Sequence, residues 1–70
     1  MFEELMEKGS TLLIYANQRY KYDGVTIIDV QHFNETTLIH IKNTPEAEYK
    51  YGKCEKIINA KDIETIKILD

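Results

Sequence analysis

One cysteine, one proline, three glycines and no tryptophan leave this 70-residue chain few means of bracing itself. With Cys54 alone, no intrachain disulfide can form, and no Cys and His pair has metal-ligand spacing. No apolar run approaches the roughly 20 residues that cross a bilayer, and Met1-Phe2-Glu3-Glu4-Leu5 has no basic leader region. The expected location is therefore the cytoplasm, where a free thiol stays reduced. A run of one charge sign is also missing. Lys21, Lys42, Lys50, Lys53, Lys56, Lys61 and Lys67 are interleaved with acids, and the net charge is −3. That balance excludes duplex DNA held by phosphate neutralisation, which needs a basic face. It leaves open the binding of a few single-stranded bases by stacking and edge contacts.

What is present is a globular composition, with 43% hydrophobic and 30% charged residues, and five tyrosines that favour strands. The chain reads as one domain, residues 1–70. A domain of this size buries only about 60% of the surface its unfolded form exposes. With disulfide and metal set aside, homo-oligomerisation is the expected source of further stability.

The pattern begins with a short amphipathic helix. Phe2, Leu5 and Met6 recur at helical spacing, Glu3 and Glu4 suit the positive end of the helix dipole, and Gly9 stops it after residue 8. Strands follow. Thr11 to Tyr15 is the first, and Asn17-Gln18 a hairpin connection. Tyr20 and Tyr22 lead through Gly24, a bend or bulge, into Val25 to Val30. Gln31 to Glu35 is a tip, and Thr36 to Lys42 the third strand. Asn43 to Ala47 holds Pro45 and reads as a loop. Glu48 to Ile58 is expected as a fourth strand bent at Gly52, Asn59 to Asp62 as a tight connection, and Ile63 to Leu69 as a fifth strand. Five bent strands joined by short turns close most simply into a small barrel. The expected fold is thus all-β: a bent five-stranded barrel with a short N-terminal helix.

The order of helix and strands, with the spacing from Gly24 to His32-Phe33-Asn34, resembles the Sm-like (LSm and Hfq) RNA-binding proteins. In that family a bent second strand begins at a glycine and leads to an aspartate, a stacking residue, an apolar residue and an asparagine. A second motif pairs Arg-Gly with a hydrophobic last strand, a shape matched by Ile57-Ile58-Asn59-Ala60-Lys61-Asp62-Ile63. Three departures are plain, the first being that the turn between the first two strands lacks the usual glycine. Val30 stands at the aspartate position, with Asp29 one place early, and Asn59-Ala60 replaces Arg-Gly. The resemblance implies a homo-oligomeric ring in which the fourth strand of one subunit pairs with the fifth of the next. It also implies single-stranded RNA as the ligand, with His32 stacking on a base, Asn34 bonding its edge and Asn59 closing the pocket.

Each of these residues also has a plain reading. His32 can be an exposed tip residue, Phe33 is expected in the core, Asn34 accepts left-handed backbone and Asn59 is a common turn residue. A small SH3-like barrel serving as a protein-interaction or assembly module, with no nucleic-acid site, is the alternative. His40 alternates with Ile39 and Ile41 and is expected on a partly exposed strand face. Tyr20 with Tyr22, and Tyr49 with Tyr51, are expected as strand residues making cross-strand and subunit contacts. No nucleophile elbow, phosphate loop or zinc motif occurs, so neither an enzyme nor a cofactor is expected.

Overall fold

Seven residues at the start of the chain form α1 (Phe2–Lys8), with Glu3 and Glu4 in its first turn and Lys8 in its last. Gly9 ends it in left-handed backbone, φ 64°, and its amide bonds back to the last turn. No α1 residue is fully buried, but Phe2, Leu5 and Met6 pack on the core. A helix this short is marginal alone, so the contact with the sheet holds it. The computed structural model describes all of residues 1–70.

The remaining elements are β1 (Leu12–Ala16), β2 (Tyr20–Phe33), β3 (Thr36–Asn43), α2 (Pro45–Tyr51), β4 (Glu55–Asn59), a 3-10 turn (Ala60–Asp62) and β5 (Ile63–Ile68). All five strands lie in one antiparallel sheet of order β4-β3-β2-β1-β5. Five strands in the expected order are therefore present, but the expected closure into a barrel is not. β4 and β5 are the two ends of the sheet and no ladder joins them.

Period two sets the core. Leu12, Ile14 and Ala16 of β1, Val25 and Ile27 of β2, Ile39 and Ile41 of β3, and Ile58 of β4 form one buried cluster. Two bulges bend the long β2. At Gly24 the partner of β1 slips between Leu12↔Val25 and Leu13↔Asp23, which places the expected bulge at that glycine. At Ile28 the β3 partner slips between Ile27↔Ile41 and Asp29↔His40. The extra residue returns Val30 to the core side, where it packs on the cluster, and leaves Ile28 exposed.

Three local expectations are corrected. The tip is shorter than Gln31 to Glu35, because β2 continues to Phe33 and only Asn34 and Glu35 turn the chain. Phe33 is not core: it is 54% exposed, since the alternation restarted at Ile28 turns it away from the helix-covered face. Glu48 to Tyr51 are helical rather than strand. Thr44 caps α2 by accepting the Ala47 amide, Pro45 supplies the first-turn φ, and Gly52 ends the helix. Tyr49 and Tyr51 are accordingly on a helix, and Cys54 precedes β4 instead of lying in it. With residues up to Tyr51 taken into α2, β4 is only five residues long.

Candidate functional site

The β2–β3 hairpin places His32 opposite Thr37, next to the two-residue turn. Residues directly opposite share a face, so His32 and Thr37 project on the side of Ile39 and α1. Both ring nitrogens are engaged. Nε2 lies 2.5 Å from Glu3 Oε2 on α1, and Nδ1 lies 3.1 Å from Thr37 Oγ1. A carboxylate can only accept, so Nε2 carries the proton and, in the neutral ring, Nδ1 accepts from the Thr37 hydroxyl. The bond from His32 holds the Glu3 carboxyl below its ordinary value of 4.5, with the Met1 ammonium 3.8 Å away contributing less. The His32 side chain remains 57% exposed, so the ring face meets solvent while its polar edge is tied to α1.

Asn34 stands in the turn with φ 53°, a conformation asparagine tolerates better than most side chains. Asn59 ends β4, and its Oδ1 accepts the Lys61 amide at 3.1 Å, capping the 3-10 turn. In the ladder Leu38 pairs with Gln31 on one side and with Asn59 on the other. Asn59 therefore lies two strands, about 10 Å, from Gln31 and shares its face, opposite to that of His32. The hairpin brings His32 and Asn34 to one end of the sheet; it does not bring Asn59 to them. Glu3 is the residue sequence reasoning missed. It lies 29 positions from His32, and no periodicity couples a first-turn glutamate to a distant strand end.

Comparison with protein-family models, with curated proteins and with solved structures finds no match to this chain.

His40 is a partly exposed strand residue whose Nε2 lies 3.3 Å from Glu55 Oε2 on β4. No three of His, Cys, Asp and Glu converge as a metal cage, and no helix is long and apolar enough to cross a membrane.

The sheet ends carry a different kind of chemistry. The bond from the Asn43 amide to the Cys54 carbonyl, 3.0 Å, fixes the phase of the β3–β4 ladder. Bonded and non-bonded pairs alternate from there, so Ile41↔Lys56 and Ile39↔Ile58 are bonded pairs and His40↔Ile57 is not. The amide and carbonyl of Ile57 thus point outward, away from β3. At the other end the bond from the Leu69 amide to the Thr11 carbonyl, 2.8 Å, sets Leu13↔Lys67 and Tyr15↔Thr65 as bonded pairs. Ile66 and Ile68 then direct their backbone groups outward. Ile57 is 67% and Ile68 58% exposed, so both free edges carry apolar side chains beside their unpaired backbone groups.

An apolar groove adjoins the β5 edge. It encloses about 640 Å³ between α1 and β5, with Phe2, Leu5, Ile63, Ile66 and Ile68 among its walls.

Proposed function

We propose that this chain is a non-catalytic assembly module that joins copies of itself edge to edge, β4 of one copy against β5 of the next. The single observation that carries this reading is the pair of free edges at opposite ends of one sheet. Each presents outward backbone donors and acceptors flanked by exposed isoleucine. An unprotected edge of this kind is a template for another strand. Only 11 of 70 residues are buried, so the isolated core is small and added strand pairing stabilises it further. Joining two unlike edges is a heterologous contact, which closes into a ring or runs on as a filament.

The test uses proline, which deletes an outward amide without removing a bond inside the sheet. Ile57→Pro blocks the β4 edge and Ile68→Pro the β5 edge. By light scattering on a sizing column, wild type is expected as a multiple of the 8.2 kDa chain. Each variant alone is expected as a monomer with unchanged circular dichroism. Mixed, the two variants are expected to form a dimer and nothing larger, because each retains the edge the other lacks. A wild type that remains monomeric at every soluble concentration overturns the proposal.

A second reading adds single-stranded RNA to such an assembly. What supports it is the exposed His32 ring beside Asn34 at one hairpin end, together with the helix-then-strands order. Stacking one base contributes roughly 1–3 kcal/mol, so a single copy binds weakly and a ring multiplies the same site. Against it stand the Glu3 carboxylate on the ring edge and the position of Asn59 on the other face. Fluorescence anisotropy with short oligo-U and oligo-A, on wild type, His32→Ala and Asn34→Ala, tests it. Absence of binding at low salt, or equal binding by both variants, removes the RNA site.

A further inference from the structure

The long β2 has β1 beside it from Tyr20 onward, but its pairing with β3 begins only at Val25↔Asn43. From Tyr20 to Gly24 one side of β2 therefore has no strand neighbour. The end of α2 and the segment before β4 pass across this gap and leave a cleft of about 410 Å³, lined by Lys21, Tyr22, Asp23, Asn43, Tyr51 and Cys54. That volume lies within the ordinary range for small-ligand sites.

Aromatic rings, acceptor oxygens and a carboxylate form its walls. Tyr51 donates its hydroxyl to Asp23 Oδ2 at 3.4 Å, tying helix to strand across the cleft. Tyr22 is backed by Tyr20, with ring centroids 6.3 Å apart and planes within 22°. Asn43 is only 7% exposed; its amide nitrogen donates to the Gly52 carbonyl at 2.8 Å, and no protein donor reaches its carboxamide oxygen. The one cation of the lining is already placed, since the Lys21 ammonium leans over the Tyr15 ring of β1, 5.9 Å from its centroid. An adjoining cleft shares Asp23 and Tyr51 and adds Glu46 and Asp70 against Lys50, so acids outnumber bases on that side, whereas beyond Cys54 Lys42 and Lys53 balance Glu48 and Glu55. Burial raises the Tyr22 phenol above its ordinary 10.0, with Cys54 and Tyr20 adding to the rise. The phenol therefore stays a neutral ring with an intact π face at physiological pH.

We propose that this cleft binds an organic cation, an ammonium or guanidinium group, between Tyr22 and Tyr51 with Asp23 as its counter-ion. Ring faces attract such a cation electrostatically, and a nearby carboxylate adds to that attraction. The source is either a lysine or arginine side chain of a protein partner or a free small amine.

The experiment is a titration of the full chain followed by 15N–1H NMR at the Tyr22, Asp23 and Tyr51 amides and the Asn43 side-chain amide. The probes are choline and its neutral isostere 3,3-dimethylbutan-1-ol. Choline is expected to shift these signals in a saturable way and the alcohol to leave them in place. Asp23→Asn and Tyr51→Ala are each expected to weaken choline about tenfold or more. Tyr51 is 64% exposed and Asp23→Asn keeps the side-chain shape, so both variants fold. N-acetyl-lysine and N-acetyl-arginine methylamides distinguish the sources: tighter binding than choline assigns a protein side chain, weaker binding a free amine. Equal shifts by the neutral alcohol, choline binding undiminished in Asp23→Asn, or no shift at the cleft overturns the proposal. Because oligomeric state is not read here, failure of this site leaves edge-to-edge assembly standing, and the reverse holds.

Discussion

Replacing Gly24 with alanine tests how the bend in β2 is seated against α2. Gly24 has φ 86°, outside the backbone range that side chains ordinarily adopt. A Cβ built there lies 3.0 Å from the Ala47 Cβ and 3.7 Å from Thr44 Oγ1, where ordinary contact is 3.4–4 Å. Two costs follow. The left-handed backbone costs an alanine about 1–2 kcal/mol, and crowding a buried methyl against Ala47 costs about 1–3 kcal/mol. The expected loss is therefore roughly 2–5 kcal/mol, which is large for a chain whose total stability is on the order of 4–10 kcal/mol. Urea unfolding followed by circular dichroism measures it. A double-mutant cycle separates the two costs. Ala47→Gly by itself weakens α2 by about 1 kcal/mol. In the Gly24→Ala background, however, it removes the clashing methyl, so the double variant is expected to lose less than the sum of the singles. A loss below about 1 kcal/mol for Gly24→Ala, or strict additivity in the cycle, refutes the close approach of bend and helix.

Two further outcomes follow from single side chains. Thr44 accepts the Ala47 amide and donates to the Gly24 carbonyl at 2.9 Å, so Thr44→Ala is expected to cost about 1–2 kcal/mol in the same urea assay, whereas Thr44→Ser retains most of it. The Glu3 carboxyl is held below 4.5, first by its bond from His32. A depressed carboxyl stabilises the fold above its unfolded value and loses that contribution as pH falls through the folded one. Melting temperatures from pH 7 down to pH 2 are therefore expected to converge between wild type and Glu3→Gln below pH 4.5. Parallel curves across that range would show that the Glu3–His32 bond contributes nothing to folding.

Legibility along the chain followed the range of the interactions involved. α1 was readable to its last residue because its spacing, first-turn acids and glycine stop lie within seven neighbouring positions. The bulge at Gly24 and the alternation of Leu38 and His40 against Ile39 and Ile41 were readable for the same reason. α2 was misread although its signal was present. Thr44-Pro45-Glu46 is a cap, a first-turn proline and a first-turn acid, whereas Tyr49 and Tyr51 favour a strand by residue type. At the candidate site, the turn roles of Asn34 and Asn59 are local and legible from residue type, while the cap that Asn59 supplies to the 3-10 turn is visible only in the fold.

By itself, then, the sequence determined a short amphipathic helix, five strands in order and the glycine bend, because each rests on period, cap or turn chemistry within a few residues. Only the tertiary structure decided which of those strands stay unpaired and what stands beside His32. The open ends depend on β4 and β5 lying at opposite sides of the sheet, and the Glu3–His32 contact depends on a helix folding back over a hairpin 29 positions away. Such facts arise from three-dimensional packing, and local pattern carries no record of them.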